Sequence, residues 1–222
     1  MGVVVPAAGS GRRMGGAPKQ FRPLGGAPVL VQTLRAFARH PEVGPLVVVA
    51  PADAVGRARS HLDAHGVAAT VVAGGATRQT SVRAGLAALP AHVDLVLVHD
   101  AVRPFVSAAL VSRVVEAARA SGAAAPAVPV ADTLRRGEGG TFGATVPRDG
   151  LWAMQTPQAA RRDTLEAAYS EADGLVATDE VGVLERAGVA VTIVEGDARN
   201  VKLTRREDWA LALALWADWS GA

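Results

Sequence analysis

Apolar residues along the chain alternate between short β-branched strings and longer stretches of helical period. Val3-Val4-Val5, Leu46-Val47-Val48-Val49, Thr70-Val71-Val72 and Asp94–Val98 read as strands buried on both faces. Between the first two, Leu30, Leu34, Phe37 and Ala38 form one apolar helical face behind Pro28, a residue suited to a helix's first turn. Asp53–His65 predicts a helix capped by Asp53 and stopped by Gly66. Thr77 can cap a further helix through Leu89. Leu110, Val111, Val114, Val115 and Ala118 repeat at helical spacing behind Ser107, and Ala127–Val130 predicts a fifth strand. Strand–helix alternation of this kind predicts an α/β fold: a three-layer, Rossmann-like, mostly parallel sheet with right-handed crossovers.

The rhythm breaks at Asp132–Pro147, where two short runs flank Gly137-Glu138-Gly139-Gly140 and read as a β-hairpin. It has little apolar surface to bury, so an arm at about residues 131–150 is expected to lie loose or reach onto a second subunit. Helices are expected at Arg161–Ala172 and Thr178–Ala187, and strands at Val189–Val194 and Asn200–Leu203. Thr204-Arg205-Arg206-Glu207 has capping-box spacing for a terminal helix whose Trp209, Leu213 and Trp216 lie along one side as core. With no internal repeat and no linker, the 222 residues are expected to form a single domain, 1–222, carrying the arm.

Composition narrows the chemistry. The chain has no cysteine, which excludes thiolate catalysis, disulfides and cysteine-bound zinc. A formal charge of +2, without a Lys/Arg block or interleaved aromatics, speaks against a nucleic-acid partner. No signal-like N-terminus or bilayer-length apolar run occurs, so no membrane partner and a cytoplasmic location are expected. Of the 23 basic residues, only Lys19 and Lys202 are lysine. The two cations are not equivalent around phosphate, although codon bias alone could produce the imbalance.

Lys19 follows the opening segment Val3–Met14, which is nearly free of side chains at Ala7, Ala8, Gly9 and Gly11 and then turns basic at Arg12 and Arg13. Small residues let backbone N–H groups approach an anion, and the cations behind them can neutralise it. It matches neither the Rossmann fingerprint nor the Walker loop. A flexible loop with solvated arginines is the bland alternative. Ligands of open α/β sheets bind beyond the carboxyl ends of the strands. Arg13 and Lys19, then Gly74, Gly75, Arg78 and Ser81, then Asp100 and Arg103 all fall there. Taken singly, Arg78 reads better as a solvated helix residue and His99 as a hydrogen-bonded core histidine.

The ordered motifs V-V-P-A-A-G-S-G-R-R-M…P-K-Q-F, G-G-A-T-R-Q-T-S-V, V-H-D-A-V-R-P-F, V-P-R-D-G-L-W-A-M-Q-T-P-Q, A-T-D-E and N-V-K-L-T-R-R-E-D run from Val3 to Asp208. Together they resemble the 2-C-methyl-D-erythritol 4-phosphate cytidylyltransferases of the non-mevalonate route to isoprenoid precursors. The resemblance implies a nucleotidyltransferase fold, Mg²⁺ or another divalent cation, and transfer of CMP from CTP to a polyol phosphate with release of pyrophosphate. Arg13, Lys19 and Lys202 would be the catalytic cations. Pro6, Ala7, Ala8, Gly9 and Gly11 would wrap the nucleotide, with Arg78 beside it and Gly75 and Ser81 selecting cytosine. Asp100 would serve the ribose, the acceptor or the metal. Arg103 and Thr178 would bind the acceptor, and Thr133 and Arg148 would complete the neighbour's acceptor site in a homodimer.

One position departs from the resemblance: Ala76 stands where some family members carry an acidic side chain. The chain's length also predicts no fused cyclodiphosphate synthase domain. Transfer to another polyol phosphate such as ribitol 5-phosphate, and non-catalytic nucleotide binding, are the competing expectations. A dinucleotide-dependent oxidoreductase is disfavoured by the missing third fingerprint glycine.

Overall fold

A computed structural model describes residues 1–8, 18–172 and 177–219. The first strand, β1 (Gly2–Pro6), lies at the centre of the main sheet. Two short strands follow, β2 (Pro23–Leu24) and β3 (Ala27–Pro28), then α1 (Val29–Ala38), β4 (Leu46–Ala50), α2 (Val55–Ala64), β5 (Thr70–Ala73), α3 (Arg78–Ala87), β6 (Leu95–Val98) and α4 (Ala108–Ser121). The second half comprises β7 (Ala123–Pro129), β8 (Leu134–Glu138), β9 (Thr141–Val146), β10 (Trp152–Met154), β11 (Gln158–Arg161), α5 (Arg162–Glu171), α6 (Glu180–Arg186), β12 (Thr192–Glu195) and α7 (Glu207–Ala217).

β6, β1, β4 and β5 are parallel neighbours in that order, with Val3 opposite both Leu46 and Leu97. β11 joins β6 antiparallel and carries the sheet to β7. Ala124 pairs with both Ala159 and Thr192, so β11 and β12 occupy opposite edges of β7. Alternation along the strands builds the two cores. Val3, Val5, Val48 and Leu97 face α1, α2 and α4, whereas Val4, Val47, Val49 and Val98 face α3, α5 and α6. A third apolar cluster, around Leu24, Phe105, Leu203 and Ala212, seats α7 beside β2. Among the described residues no helix is long and apolar enough to cross a membrane.

Several local expectations change. Asp53 does not cap α2: it lies in a 3-10 turn, Ala52–Ala54, and the helix starts at Val55 behind Ala54. The predicted strand at Ala127–Val130 begins earlier, at Ala123, because the alanine backbone completes the pairing with β11 on one edge and β12 on the other. β10 and β11 were not foreseen. Asn200–Leu203 is not a strand but a loop anchored by side chains. Glu207 closes no capping box; the Asp208 carboxylate instead accepts from the Thr204 and Arg205 amides, at 2.6 and 2.7 Å. Leu213 points to solvent, and Ala212 takes the buried position of α7. The hairpin β8–β9 is present as its own two-stranded sheet, with Gly139 and Gly140 both at positive φ, the conformation a tight hairpin turn demands.

Candidate active site

The carboxyl ends of β1, β5 and β6 open onto a cavity of about 630 Å³. Because β1 sits between β4 and β6, this is the switch point of the parallel sheet, where such folds bind ligands. Pro6, Ala7 and Ala8 form its wall at the end of β1. Ala7 donates to Val49 O at 2.7 Å and accepts from the buried Gln20 amide at 2.8 Å. Gln20 lies in the turn Lys19–Phe21, so the same clasp brings Lys19 to the cavity. Gly9, Gly11 and Arg13 lie outside the described residues.

From β5 come Gly75, Arg78 and Ser81. A Cβ on Gly74 would stand 2.7 Å from Ser81 Oγ and 3.0 Å from Ala8 Cβ; one on Gly75 would stand 2.3 Å from Thr80 Oγ1. These approaches explain the paired glycines, since any side chain would push the turn off the start of α3. That start is fixed by a capping box between Thr77 and Thr80. Ser81 spends its hydroxyl proton on Thr77 O at 2.8 Å, which leaves oxygen lone pairs to face the cavity. Ala76 lines the same wall and offers only backbone.

Arg78 is not a solvated helix residue. Its guanidinium makes a fork with Glu180, at 2.6 and 2.8 Å, and Glu180 also accepts from the Tyr169 hydroxyl at 2.9 Å. Burial opposes the charge on Arg78, yet the carboxylate beside it raises its pKa. Burial and the same carboxylate push the Tyr169 hydroxyl up.

At the end of β6, Asp100 meets Lys202, whose Nζ lies 3.0 Å from Asp100 Oδ2. Burial works to raise the Asp100 pKa, but Lys202, Arg103 and Arg78 prevail and hold it at about 2. Lys202 rides on the loop after β12. There Asn200, fully buried, donates to Thr156 O at 2.8 Å, and Gln155 brackets Asp197 through both its amide atoms. Thus the two lone lysines, 183 positions apart in sequence, line one cavity. Among the described residues its charged lining is Lys19, Arg78 and Lys202 against Asp100, a net positive set suited to a polyanion.

Arg103 does not line this cavity. Its Nε donates to Asp100 Oδ2 (3.2 Å), and its two terminal nitrogens donate to Asn200 O (2.7 Å) and Met154 O (3.2 Å). A buried guanidinium so committed joins three segments. These bonds use three of its five N–H donors and fix the guanidinium behind the cavity. Thr178, exposed ahead of the Asp179 cap of α6, and the exposed Thr133 and Arg148 also lie outside the lining.

His99 is the buried, hydrogen-bonded histidine anticipated above, and burial lowers its pKa to about 4. The consequence for stability follows by linkage. The unfolded chain binds a proton near pH 6.5 that the folded chain refuses until about pH 4, so stability is full above 6.5 and declines as pH falls through that window. The full loss is about 3 kcal/mol. Asp100, depressed from 3.8 to about 2, adds a second loss below pH 4. Urea unfolding measured between pH 4 and 7 should show this positive slope; a flat profile contradicts it.

A second, smaller cavity of about 180 Å³ lies away from the strand ends, between Arg35, Arg39, Trp216 and Trp219.

Among the described residues no three His, Asp or Glu side chains cluster as a metal site. Asp100 is the only carboxylate among the described residues lining the main cavity. One carboxylate beside room for a polyphosphate fits Mg²⁺, which keeps much of its water and shares its remaining ligands with substrate phosphates.

The family model for 2-C-methyl-D-erythritol 4-phosphate cytidylyltransferase (IspD) matches residues 1–217. The chain belongs to this family. Its relative of that name from Salinibacter ruber is 54% identical, covering 100% of this chain and 95% of the relative. The cytidylyltransferase of Deinococcus radiodurans is 47% identical over 96% of this chain and 88% of its own. Among solved structures, the cytidylyltransferase of Thermus thermophilus superposes with a TM-score of 0.84 at 40% identity, covering 97% of this chain and 98% of that one. Against a bifunctional IspD/IspF enzyme from Desulfotalea psychrophila, at 46% identity, the chain spans 55% of the length.

Glu180, Asn200, Gln155 and Thr156, none of which lines the cavity, were not foreseen as the groups that hold its lining side chains. Each lies inside a motif, but only packing reveals what it holds.

Proposed function

We infer that the protein transfers CMP from CTP to 2-C-methyl-D-erythritol 4-phosphate, giving 4-diphosphocytidyl-2-C-methyl-D-erythritol and pyrophosphate. The observation that carries the site assignment is the convergence of Lys19 and Lys202 on one cavity beside Asp100. An acceptor phosphate oxygen forms the new bond to the α-phosphorus of CTP as the bond to the β-phosphate oxygen breaks. A phosphate monoester has its second pKa at about 6, so it is already anionic at neutral pH and needs no general base. The barrier is the approach of two anions and the charge that builds at the α-phosphorus.

In this reading Lys202 spans the α-phosphate and the attacking phosphate, and Lys19 and Arg13 lie along the triphosphate. Lys202 is held against Asp100 before substrate arrives, and preorganisation of that kind is what makes such cations effective. A divalent cation, held by Asp100 and the nucleotide phosphates, would neutralise the triphosphate and polarise its oxygens. Ser81, with its proton engaged by Thr77, accepts from the cytosine amino group. Uracil would present an oxygen to that same lone pair, and the site would reject it. The close Gly75 turn brings backbone to the base edge.

The acceptor end needs a second subunit in this reading. Apolar side chains are exposed on the arm, just after it and on β10 and β12: Phe142 at 87%, with Leu151, Trp152, Met154 and Ile193. A homodimer would cover them and bring the partner's Thr133 and Arg148 to the acceptor. Mixing Arg148→Ala with Lys202→Ala protein therefore restores about a quarter of wild-type activity at random exchange, since each heterodimer holds one intact site. No recovery despite demonstrated exchange would contradict site sharing.

Pyrophosphate release with each candidate acceptor tests the reaction itself. A kcat/KM favouring methylerythritol phosphate supports it; a preference for ribitol 5-phosphate, or CTP binding without turnover, overturns it.

A further inference from the structure

We propose that His99 and Thr156, neither of which lines the cavity, are positioning residues that set the Asp100–Lys202 couple through a hydrogen-bond chain of fixed polarity. The proposal rests on the cytidylyltransferase reading above. It starts from two groups whose roles allow no choice. Arg103 O can only accept, so His99 Nε2, 3.0 Å away, carries the proton. The Asp100 amide can only donate, and it does so to Thr156 Oγ1 at 3.1 Å. His99 is fully buried and packs edge-on to Phe37, at 4.8 Å between ring centres, an environment that keeps the imidazole neutral. Its Nδ1 is then a bare acceptor, and the Thr156 hydroxyl, 3.0 Å away, donates to it. The tautomer is thus assigned by its partners.

The chain closes on itself. From the Asp100 amide it runs through the Thr156 hydroxyl to His99 Nδ1. From His99 Nε2 it continues through Arg103 O, and the Arg103 side chain returns to Asp100 Oδ2 at 3.2 Å. Thr156 has a second bond that matters: its carbonyl accepts from Asn200 Nδ2 at 2.8 Å, two residues before Lys202. One threonine therefore holds the backbone of Asp100 with its hydroxyl and the loop of Lys202 with its carbonyl. The 3.0 Å gap between Lys202 Nζ and Asp100 Oδ2 depends on both. Within the loop through Asp100, Thr156, His99 and Arg103 each of these groups is paired, and the loss of the Thr156 hydroxyl strands a donor, the Asp100 amide, and an acceptor, His99 Nδ1, together.

The test compares Thr156→Val, which keeps the shape without the hydroxyl, with Thr156→Ser, which keeps the hydroxyl. Both are assayed for pyrophosphate release after circular dichroism shows native secondary structure. Thr156→Val should lower kcat by about 10- to 100-fold, the scale of a displacement near 1 Å in a reacting pair. Its KM for CTP should move less than about threefold, because the base and β-phosphate contacts are untouched. Thr156→Ser should recover most of the loss. A wild-type kcat in Thr156→Val, or equal impairment in Thr156→Ser, overturns the proposal. Histidine-selective ¹⁵N NMR of the wild-type protein supplies a readout independent of activity and of whether Thr156→Val folds. A protonated Nε2 with a bare Nδ1 on His99 supports the chain, and a protonated Nδ1 refutes it. An inactive wild-type enzyme would instead fail the cytidylyltransferase reading and leave that spectrum to decide the chain.

Discussion

Lys202→Ala is expected to lower kcat by about a hundred- to a thousandfold, the usual cost of removing one preorganised donor from a developing charge. The fold should survive, because the side chain is 43% exposed and its truncation opens no core cavity. Two effects act together. In the proposed mechanism the transferring phosphorus loses a cation, and Asp100 loses the strongest of the charges that hold its pKa at about 2. Lys202→Arg should rescue poorly, since a planar fork cannot occupy the place of a compact ammonium set between two phosphates. Steady-state pyrophosphate release, with circular dichroism as the control for folding, checks both variants. Wild-type turnover in Lys202→Ala would remove Lys202 from the mechanism.

Glu180→Ala is expected to be the most destabilising single change on the far wall of the cavity. Glu180 is 1% exposed and carries both the Arg78 fork and the Tyr169 hydroxyl, so its removal leaves a charge and a hydroxyl without their partner. Breaking a buried pair from one side costs about 3 to 5 kcal/mol, or roughly 10 °C in Tm for a chain of this size. The double change Arg78→Met with Glu180→Leu separates stability from function. Replacing both partners by apolar residues should return much of the Tm. If Arg78 also serves the nucleotide, KM for CTP stays raised in that double variant. Thermal unfolding with and without CTP reads both effects, and an unchanged Tm in Glu180→Ala would show that the fork contributes nothing.

The parallel half of the fold was legible because its signals are local. Val3–Val5, Leu46–Val49 and Leu95–Val98 are β-branched or leucine runs, and Thr77 and Ser107 cap the helices they precede. The antiparallel half was harder to read. β11 is Gln-Ala-Ala-Arg, without a β-branched residue, and is a strand because it completes hydrogen bonds between β6 and β7. The alanines of β7 have the composition of a helix and become strand for the same reason. In the site, Lys19, Gly75, Ser81, Asp100 and Lys202 could be named from motif and rim position, and the structure brings them to one cavity. Arg103 has a structural part that motif reasoning did not give it. A motif arginine beside an anion site looks like a ligand-binding group, and its guanidinium also joins Asp100, Asn200 and Met154, with three of its five N–H donors engaged. Sequence can nominate a charge; only packing tells what else it holds.

A crystal structure of the protein soaked with CTP and Mg²⁺ tests the convergence of the two lysines most directly. The account predicts the triphosphate in the cavity at the ends of β1, β5 and β6, with the α-phosphate within hydrogen-bond reach of Lys202 and the chain of phosphates passing Lys19. A triphosphate seated elsewhere, for instance against Arg35, Arg39 and Trp216, with Lys19 and Lys202 making no contact to it, would contradict it.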